Sequence, residues 1–217
     1  TFCNYPEAAK SIAKIGDTMN PNMESIVALK PDIVFVSTAS QIEAFTKTLE
    51  QNEIAVYVTD ATSLGGVIHN LDQLGIIFGT EATAQNLISD LELRQTELRN
   101  KIGQGIGTEE SPAAYDARAV KVFVQISREP LFTIGKAAFL NDLLESIGGR
   151  SVTANVETAY PKLSKETASA LNPAVIILSD SEDNRAPNDA FKNSQAVKNG
   201  RVYKINADII SRPGPRL

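Results

Sequence analysis

The sequence predicts an α/β protein built on parallel sheets, and three observations support this class. Short β-branched runs recur along the 217 residues, helical patterns separate them, and one helix-and-strand phrase occurs twice. Near-continuous apolar runs are typical of parallel strands covered on both faces, and strand–helix–strand repetition implies right-handed crossovers. The runs that we interpret as strands are Asp32–Ser37, Ile54–Thr59, Val120–Ile126, Ala174–Ser179 and Arg201–Ile205.

Helical patterns fill the spaces between these strands. Two of them cover Gln41–Gln51 and Ser63–Phe78, and a longer one covers Glu81–Ile102. Around the longer one, Thr80 is placed to cap the first turn and Gly103 to end the last. At 1.5 Å per residue this helix is about 33 Å long. We interpret it as a strut between two lobes, although an ordinary long helix followed by a loop is an alternative. The predicted first lobe, connecting helix and second lobe are residues 1–79, 80–103 and 104–217.

The repeated phrase reads ESIVALKPDIVFVS at Glu24–Ser37 and ETASALNPAVIILS at Glu166–Ser179, and the two align without a gap. Asn22 and Ser164 are predicted N-caps, which puts each leading glutamate at the second helical position. A proline seven residues later ends each helix before the strand. Two lobes of the same plan would place the two glutamates at equivalent points. An acid in a first helical turn also complements the helix dipole, so a purely local role is the alternative.

Composition and motifs exclude several function classes. The formal net charge of -5 gives no broad attraction to nucleic acid. Because Cys3 is the single cysteine, the chain has no internal disulfide. We expect Cys3 to be a small, buried or half-buried side chain. The only histidine, His69, has no second histidine or cysteine near it, and no nucleophile or phosphate-loop motif occurs. We therefore predict no catalytic residue, no metal ligand and no cofactor. Because the chain opens at Thr1 without a signal segment, we expect a mature or trimmed form.

Several segments resemble one known family. The runs are LKPDIVFVS, VYVTDATS, KVFVQISREPLFTIGKAAFLNDLLESIGG, AYPKLSKE and NADIISRPGPRL. They resemble the solute-binding proteins of ABC importers for metal chelates, and most of all those that bind cobalamin. The resemblance covers essentially the whole chain, and Lys121–Gly149 is its most specific part. It implies two Rossmann-like lobes joined by one long helix, as in class III periplasmic binding proteins. The family carries a further strand and helix before Thr1 and a helix after Leu217, so we expect a chain trimmed at both ends. A sheet edge of the first lobe would then be exposed or paired with another chain.

The resemblance also implies a ligand site in the cleft between the lobes. Large flat ligands are gripped by aromatic faces and oriented by a few polar groups. The positions that match the family's cleft are Phe2, Phe132, Tyr160, Asp208 and Arg212. Where cobalamin-binding members have further tryptophans, this chain has Thr18 and Ser37, and it contains no tryptophan. A smaller or more polar chelate is therefore an alternative, and so are local roles in the core, a loop or a salt bridge.

In the same family one glutamate on each lobe docks into an arginine pocket of the membrane permease. The matching residues are Glu24 and Glu166. The expected function is capture of a cobalamin-type corrinoid and its delivery to an ABC permease and its ATPase, in a periplasmic or other extracytoplasmic location, free or lipid-anchored. The alternatives are an iron-siderophore or haem binder of the same class, a bilobal chelatase-like enzyme, and a sensor module without transport.

Overall fold

The structure, a computed structural model, describes residues 5–17, 20–37, 42–59, 61–102, 118–210 and 213–216. By their internal contacts the residues form two compact units, 1–60 and 61–217. The predicted lobes and connecting helix divide the chain differently. That division is not tested by this grouping and stays a prediction.

The first unit contains a two-stranded parallel sheet. Its main elements are α1 (Met23–Ala28), β1 (Ile33–Ser37), α2 (Ile42–Gln51) and β2 (Ala55–Thr59). β1 pairs with β2 from Ile33↔Ala55 to Ser37↔Thr59. Among the described residues of this unit, the core cluster of buried side chains is Ile26, Leu49 and Ile54.

The second unit contains a four-stranded parallel sheet in the order β4-β3-β5-β6. Its strands are β3 (Val120–Gln125), β4 (Gly149–Ser151), β5 (Val175–Asp180) and β6 (Val202–Asn206). Its helices are α3 (Leu64–Phe78), α4 (Glu81–Ile102), α5 (Phe139–Ser146), α6 (Lys165–Leu171), α7 (Gln195–Lys198) and α8 (Ala207–Ile210). In the part of the chain that the structure describes, no helix is long and apolar enough to cross a bilayer.

Both faces of this sheet are covered by helices. Because side chains alternate across a strand, Val122 and Val124 of β3 pack with residues of α3, α4 and α5, while Phe123 packs with residues of α6 and α7. The Phe123 ring lies 4.4 Å from that of Phe191, centroid to centroid, at 49°. Near-continuous apolar runs therefore mark the strands here, as the sequence predicted.

The predicted α/β class with parallel sheets is confirmed. Each of the five predicted strands is present with both ends within one residue of the prediction. The short strand β4 was not predicted, because Gly-Arg-Ser carries no β-branched signal. The helix predicted at 81–102 is present over that range, and its predicted stop at Gly103 lies outside the described residues.

Helices α3 and α4 form a tight hairpin. Ser63 caps α3, accepting a hydrogen bond from the Gly66 N–H at 3.0 Å, and Gly79 ends it with a φ of 62°. Gly75 is buried where the helices touch, and a Cβ there would lie 2.6 Å from the Cβ of Ala84. A side chain at this position would push the two helices apart.

Candidate functional site

Phe132 lies at the carboxyl end of β3. After the strand the chain turns back, and the Phe132 N–H donates to the carbonyl of Ser127 at 3.2 Å. The carbonyl of Phe132 accepts from the Ile126 N–H at 2.9 Å. Ligands of open parallel sheets bind outside the carboxyl ends of the strands, so this residue is in the expected place.

Tyr160 lies on a segment that pairs with the one carrying Phe132. Phe132 bridges Lys162 in an antiparallel sense, and the Gly135 N–H donates to the carbonyl of Ala159 at 2.8 Å. We call segments 131–136 and 156–163 the loop ladder. In its register Tyr160 is the diagonal neighbour of Phe132, a Cα separation of about 7–8 Å. The structure thus brings these two predicted residues together.

Gly135 makes the loop ladder possible. A Cβ on Gly135 would overlap the carbonyl oxygen of Thr158 and lie 2.5 Å from that of Val156. The two segments can approach this closely only without a side chain at that position. Sequence analysis did not identify Gly135, since the partner carbonyls are more than twenty residues away along the chain.

The loop ladder presents its aromatic rings only partly to solvent. Tyr160 is 49% exposed and Phe132 is half-buried. Partial burial raises the pKa of the Tyr160 hydroxyl above its ordinary value of 10.0, so the phenol is neutral at physiological pH. A half-exposed neutral phenol offers a ligand both an apolar face and a hydrogen-bonding tip.

Asp208 lies at the same edge of the sheet. It is exposed on α8, which follows β6 directly, and its N–H donates to Asn206 Oδ1 at 2.8 Å. All four strands are parallel, so the carboxyl ends of β3 and β6 lie at one edge. Three of the five predicted ligand residues, Phe132, Tyr160 and Asp208, therefore follow strands of this sheet at this edge. Phe2 and Arg212 lie outside the described residues, as does Thr18; Ser37 is the last residue of β1.

A buried polar network fixes the loops at this edge, and sequence analysis missed it. Gln125 is fully buried at the end of β3, and its Nε2 donates to Asn184 Oδ1 at 2.6 Å. Its Oε1 accepts from the Asn188 N–H at 2.8 Å. Asn184 in turn donates to the carbonyls of Gln125 and Ser179, each at 2.9 Å. Satisfied networks of this kind are rigid. The one available signal was a glutamine inside an apolar strand.

The turn that leads to Phe132 is held from both sides. Asn188 Nδ2 donates to Glu129 Oε1 at 3.1 Å, and Thr133 Oγ1 donates to the carbonyl of Val124 at 2.7 Å. These hydrogen bonds fix the backbone on both sides of Phe132. Preorganisation reduces the ordering cost of binding.

Glu24 occupies the second position of α1, as predicted. Asn22 is the N-cap, and its Oδ1 accepts from the Ser25 N–H at 3.0 Å. The carboxylate of Glu24 is exposed. The helix ends before Lys30, whose φ is 49°, and Pro31 follows.

Glu166 occupies the same position of α6. Ser164 is the N-cap, and its Oγ accepts from the Thr167 N–H at 3.1 Å. The carboxylate is exposed, and its pKa lies below the ordinary value of 4.5 because its own backbone N–H and then the Ser164 hydroxyl donate to it, with Lys165 adding a smaller attraction. Asn172, with a φ of 41°, precedes the proline. Both predicted helix starts are confirmed, while the docking role of the glutamates stays a prediction.

No group of three or more histidine, cysteine, aspartate or glutamate side chains is arranged to hold a metal ion in the described ranges. His69 is exposed on α3.

The fold agrees with a comparison to known families. The profile of the periplasmic binding protein family matches residues 1–209. The chain therefore belongs to the periplasmic binding protein family.

Individual proteins are also similar to this chain in sequence or in fold. An uncharacterized ABC transporter substrate-binding lipoprotein of Bacillus subtilis is 29% identical over 98% of this chain, which spans 66% of the relative. The vitamin B12-binding protein of Pectobacterium atrosepticum is 27% identical over 100% of this chain, which spans 74% of that protein. A solved periplasmic heme-binding protein in complex with two hemes shares the fold, with a TM-score of 0.79 and 18% identity over 99% of this chain and 81% of that one. The predicted resemblance to binding proteins of chelate importers is confirmed.

Proposed function

We propose that this protein is the solute-binding component of an ABC importer and that its ligand is a corrinoid of the cobalamin type. The observation that carries the proposal is the loop ladder. In a member of the periplasmic binding protein family, it carries Phe132 and Tyr160 on paired segments at the carboxyl edge of a parallel sheet.

The chemistry of this edge suits a large flat chelate. Phe132 and Tyr160 would provide apolar faces for a macrocycle, and the Tyr160 hydroxyl and Asp208 carboxylate would provide polar groups that set its orientation. The rigid loops beneath them keep these groups in place before the ligand arrives. Family membership favours such a binding role over catalysis.

Haem and iron-siderophores are the alternative ligands. Haem is also large and flat, and a solved heme-binding protein shares this fold. The corrinoid is preferred because a vitamin B12-binding protein resembles the chain in sequence over its full length.

The proposed partner is a membrane permease with its ATPase, in an extracytoplasmic location. Glu24 and Glu166 are exposed at the starts of equivalent helices in different units. Carboxylate–guanidinium pairs attract two proteins and also fix their relative orientation. Two such acids would therefore orient the protein on its permease.

Binding calorimetry and visible absorbance spectra with cyanocobalamin, haemin and ferrichrome test the ligand assignment. We expect one cyanocobalamin to bind per chain. We expect Tyr160→Ala to weaken that binding by about 1–3 kcal/mol, as for loss of a buried aromatic contact. Tyr203→Ala is the matched control, since Tyr203 is similarly exposed at 55% but lies within β6. Haemin or ferrichrome binding without cyanocobalamin binding would contradict the corrinoid assignment, and no binding of any of the three would contradict the proposed function.

A further inference from the structure

Lys162 lies directly across the loop ladder from Phe132. The two residues form an antiparallel bridge, and their own backbone groups do not bond to each other. The flanking hydrogen bonds run from the Thr133 N–H to the Pro161 carbonyl at 3.1 Å and from the Leu163 N–H to the Leu131 carbonyl at 2.9 Å. In such a non-hydrogen-bonded pair the Cα atoms are about 4.5 Å apart and the side chains share one face. The Lys162 side chain therefore starts beside that of Phe132.

The face that carries Lys162 also carries the second aromatic residue. Side chains two residues apart on a strand point the same way, so Tyr160 shares this face. In the same register Ile134 lies opposite Tyr160. Ile134 is fully buried at the inner end of the face, whereas Lys162 is exposed at the outer end. A ligand stacked on the aromatic residues would therefore meet Lys162 at its outer rim.

Lys162 differs from the neighbouring lysines in its charge environment. Lys136, on the other segment of the ladder, pairs with Glu157 at 2.9 Å. Lys165, at the start of α6, lies 3.3 Å from Glu129. Lys162 itself forms no ion pair or hydrogen bond within the described ranges. An ammonium without a counter-charge favours an anionic group on a ligand that binds beside it and disfavours a cationic one.

A bound ligand would strengthen this attraction. A chelate stacked on Phe132 and Tyr160 would exclude water from one side of the Lys162 ammonium, and opposite charges attract more strongly where water is removed. A lysine is a compact charge on a flexible stem, which suits a phosphate group. A corrinoid of the cobalamin type carries a phosphodiester in its nucleotide loop, whereas the groups around its ring are neutral amides.

We infer that Lys162 is a further ligand residue, whose ammonium binds the phosphodiester of the corrinoid. The inference rests on the proposed function and adds a residue that distinguishes corrinoids with a nucleotide loop from those without one. The chemistry that Lys162 recognises is an anionic group at the periphery of a flat chelate. Haem would offer carboxylates to the same ammonium, so the experiment includes haemin.

The test measures the affinities of cyanocobalamin and of dicyanocobinamide, which lacks the nucleotide loop and its phosphate, by calorimetry. Lys162→Gln should weaken cyanocobalamin binding about tenfold, the value of one hydrogen bond between charged groups, and should leave dicyanocobinamide binding unchanged. Lys162→Arg keeps the charge and should retain most of the affinity for cyanocobalamin. Lys198→Gln is the matched control, at an exposed lysine that ends α7 near the amino end of β6, and should bind both corrinoids as wild type does.

The salt dependence of binding gives a second readout of the same contact. Because salt screens attraction between partly exposed charges, raising the ionic strength should weaken cyanocobalamin binding more in the wild-type chain than in Lys162→Gln. A lysine with only a structural role would not produce this difference. Thermal melts of the variant should match those of wild type, since Lys162 is exposed.

The possible outcomes separate the inference from the proposed function. If Lys162→Gln weakens both corrinoids equally, or neither, the phosphate contact is excluded and the proposed function still stands. If the wild-type chain binds neither corrinoid, the corrinoid assignment and the inference are both overturned. Haemin binding that depends on Lys162, without binding of cyanocobalamin, would assign the ammonium to a carboxylate and would also overturn both.

Discussion

The two copies of the repeated phrase have the same local structure in different surroundings. In each, a side chain caps the helix, a glutamate takes its second position, a residue with positive φ precedes the proline, and a parallel strand follows. Yet β5 is central in a four-stranded sheet with Ile176 and Leu178 fully buried. Among the described residues β1 pairs with β2 alone, and its Phe35 is 38% exposed.

This difference separates what a short sequence decides from what the fold decides. The N-cap and the start of the strand follow from residues close together in sequence, and the two copies agree in both, with helices of six and seven residues. Burial depends on neighbours distant in sequence, and the copies differ there. The exposed glutamates belong to the local structure that the two copies share. Their equivalent positions therefore follow from the local sequence and not from similar burial of the two copies.

The largest expected difference between the copies lies in the cores. Ile176→Ala should lower the free energy of unfolding by about 2–5 kcal/mol, because it opens a cavity in a fully buried site. The aligned Val34→Ala should lower the free energy of unfolding by less than about 2 kcal/mol, since the valine side chain is smaller than isoleucine and only half-buried. Urea denaturation followed by circular dichroism measures both. Equal losses would show that the first unit is as well packed as the second.

The caps should behave alike. Asn22→Ala and Ser164→Ala each remove the acceptor for a helical N–H and should each cost about 0.5–2 kcal/mol. Ser181→Ala, at an exposed serine outside helices and strands, should change stability by less than about 0.5 kcal/mol. The same denaturation experiment applies. If only one of the two cap variants lost stability, the two copies would not be locally equivalent.

The smallest expected effect is a pH dependence at Glu166. Its pKa is lower in the folded state, so its contribution to stability is present above the ordinary value and is lost as the pH falls through the folded value. NMR titration of the side-chain carboxyl should show the lowered pKa, and Ser164→Ala should move it upward by removing the hydroxyl donor. An unchanged titration in Ser164→Ala would mean that the hydroxyl does not hold this carboxylate.

The sequence predicted the local elements well and the supports of the site poorly. The strands carry β-branched runs and the helices carry caps, so neighbouring residues were sufficient. Gly135 and the network of Gln125, Asn184 and Asn188 act through contacts about 20 to 60 residues apart. No periodicity reports such contacts. Phe132 and Tyr160 were identified through family resemblance, and the pairing of the segments that carry them is visible only in the structure.

Docking on the cognate permease tests directly whether the paired glutamates recognise a partner. The double variant Glu24→Ala with Glu166→Ala is compared with Glu50→Ala with Glu182→Ala, which removes two other exposed glutamates, one from each unit. Affinity for the permease in nanodiscs is measured by surface plasmon resonance, with cyanocobalamin titrations as a control. We predict that the first pair loses several kcal/mol of docking energy, about 2–5 per unpaired buried arginine, and keeps its affinity for cyanocobalamin. The control pair should dock normally. Normal docking by the Glu24 and Glu166 double variant would exclude the docking role and leave both acids with only their local role at the helix dipole.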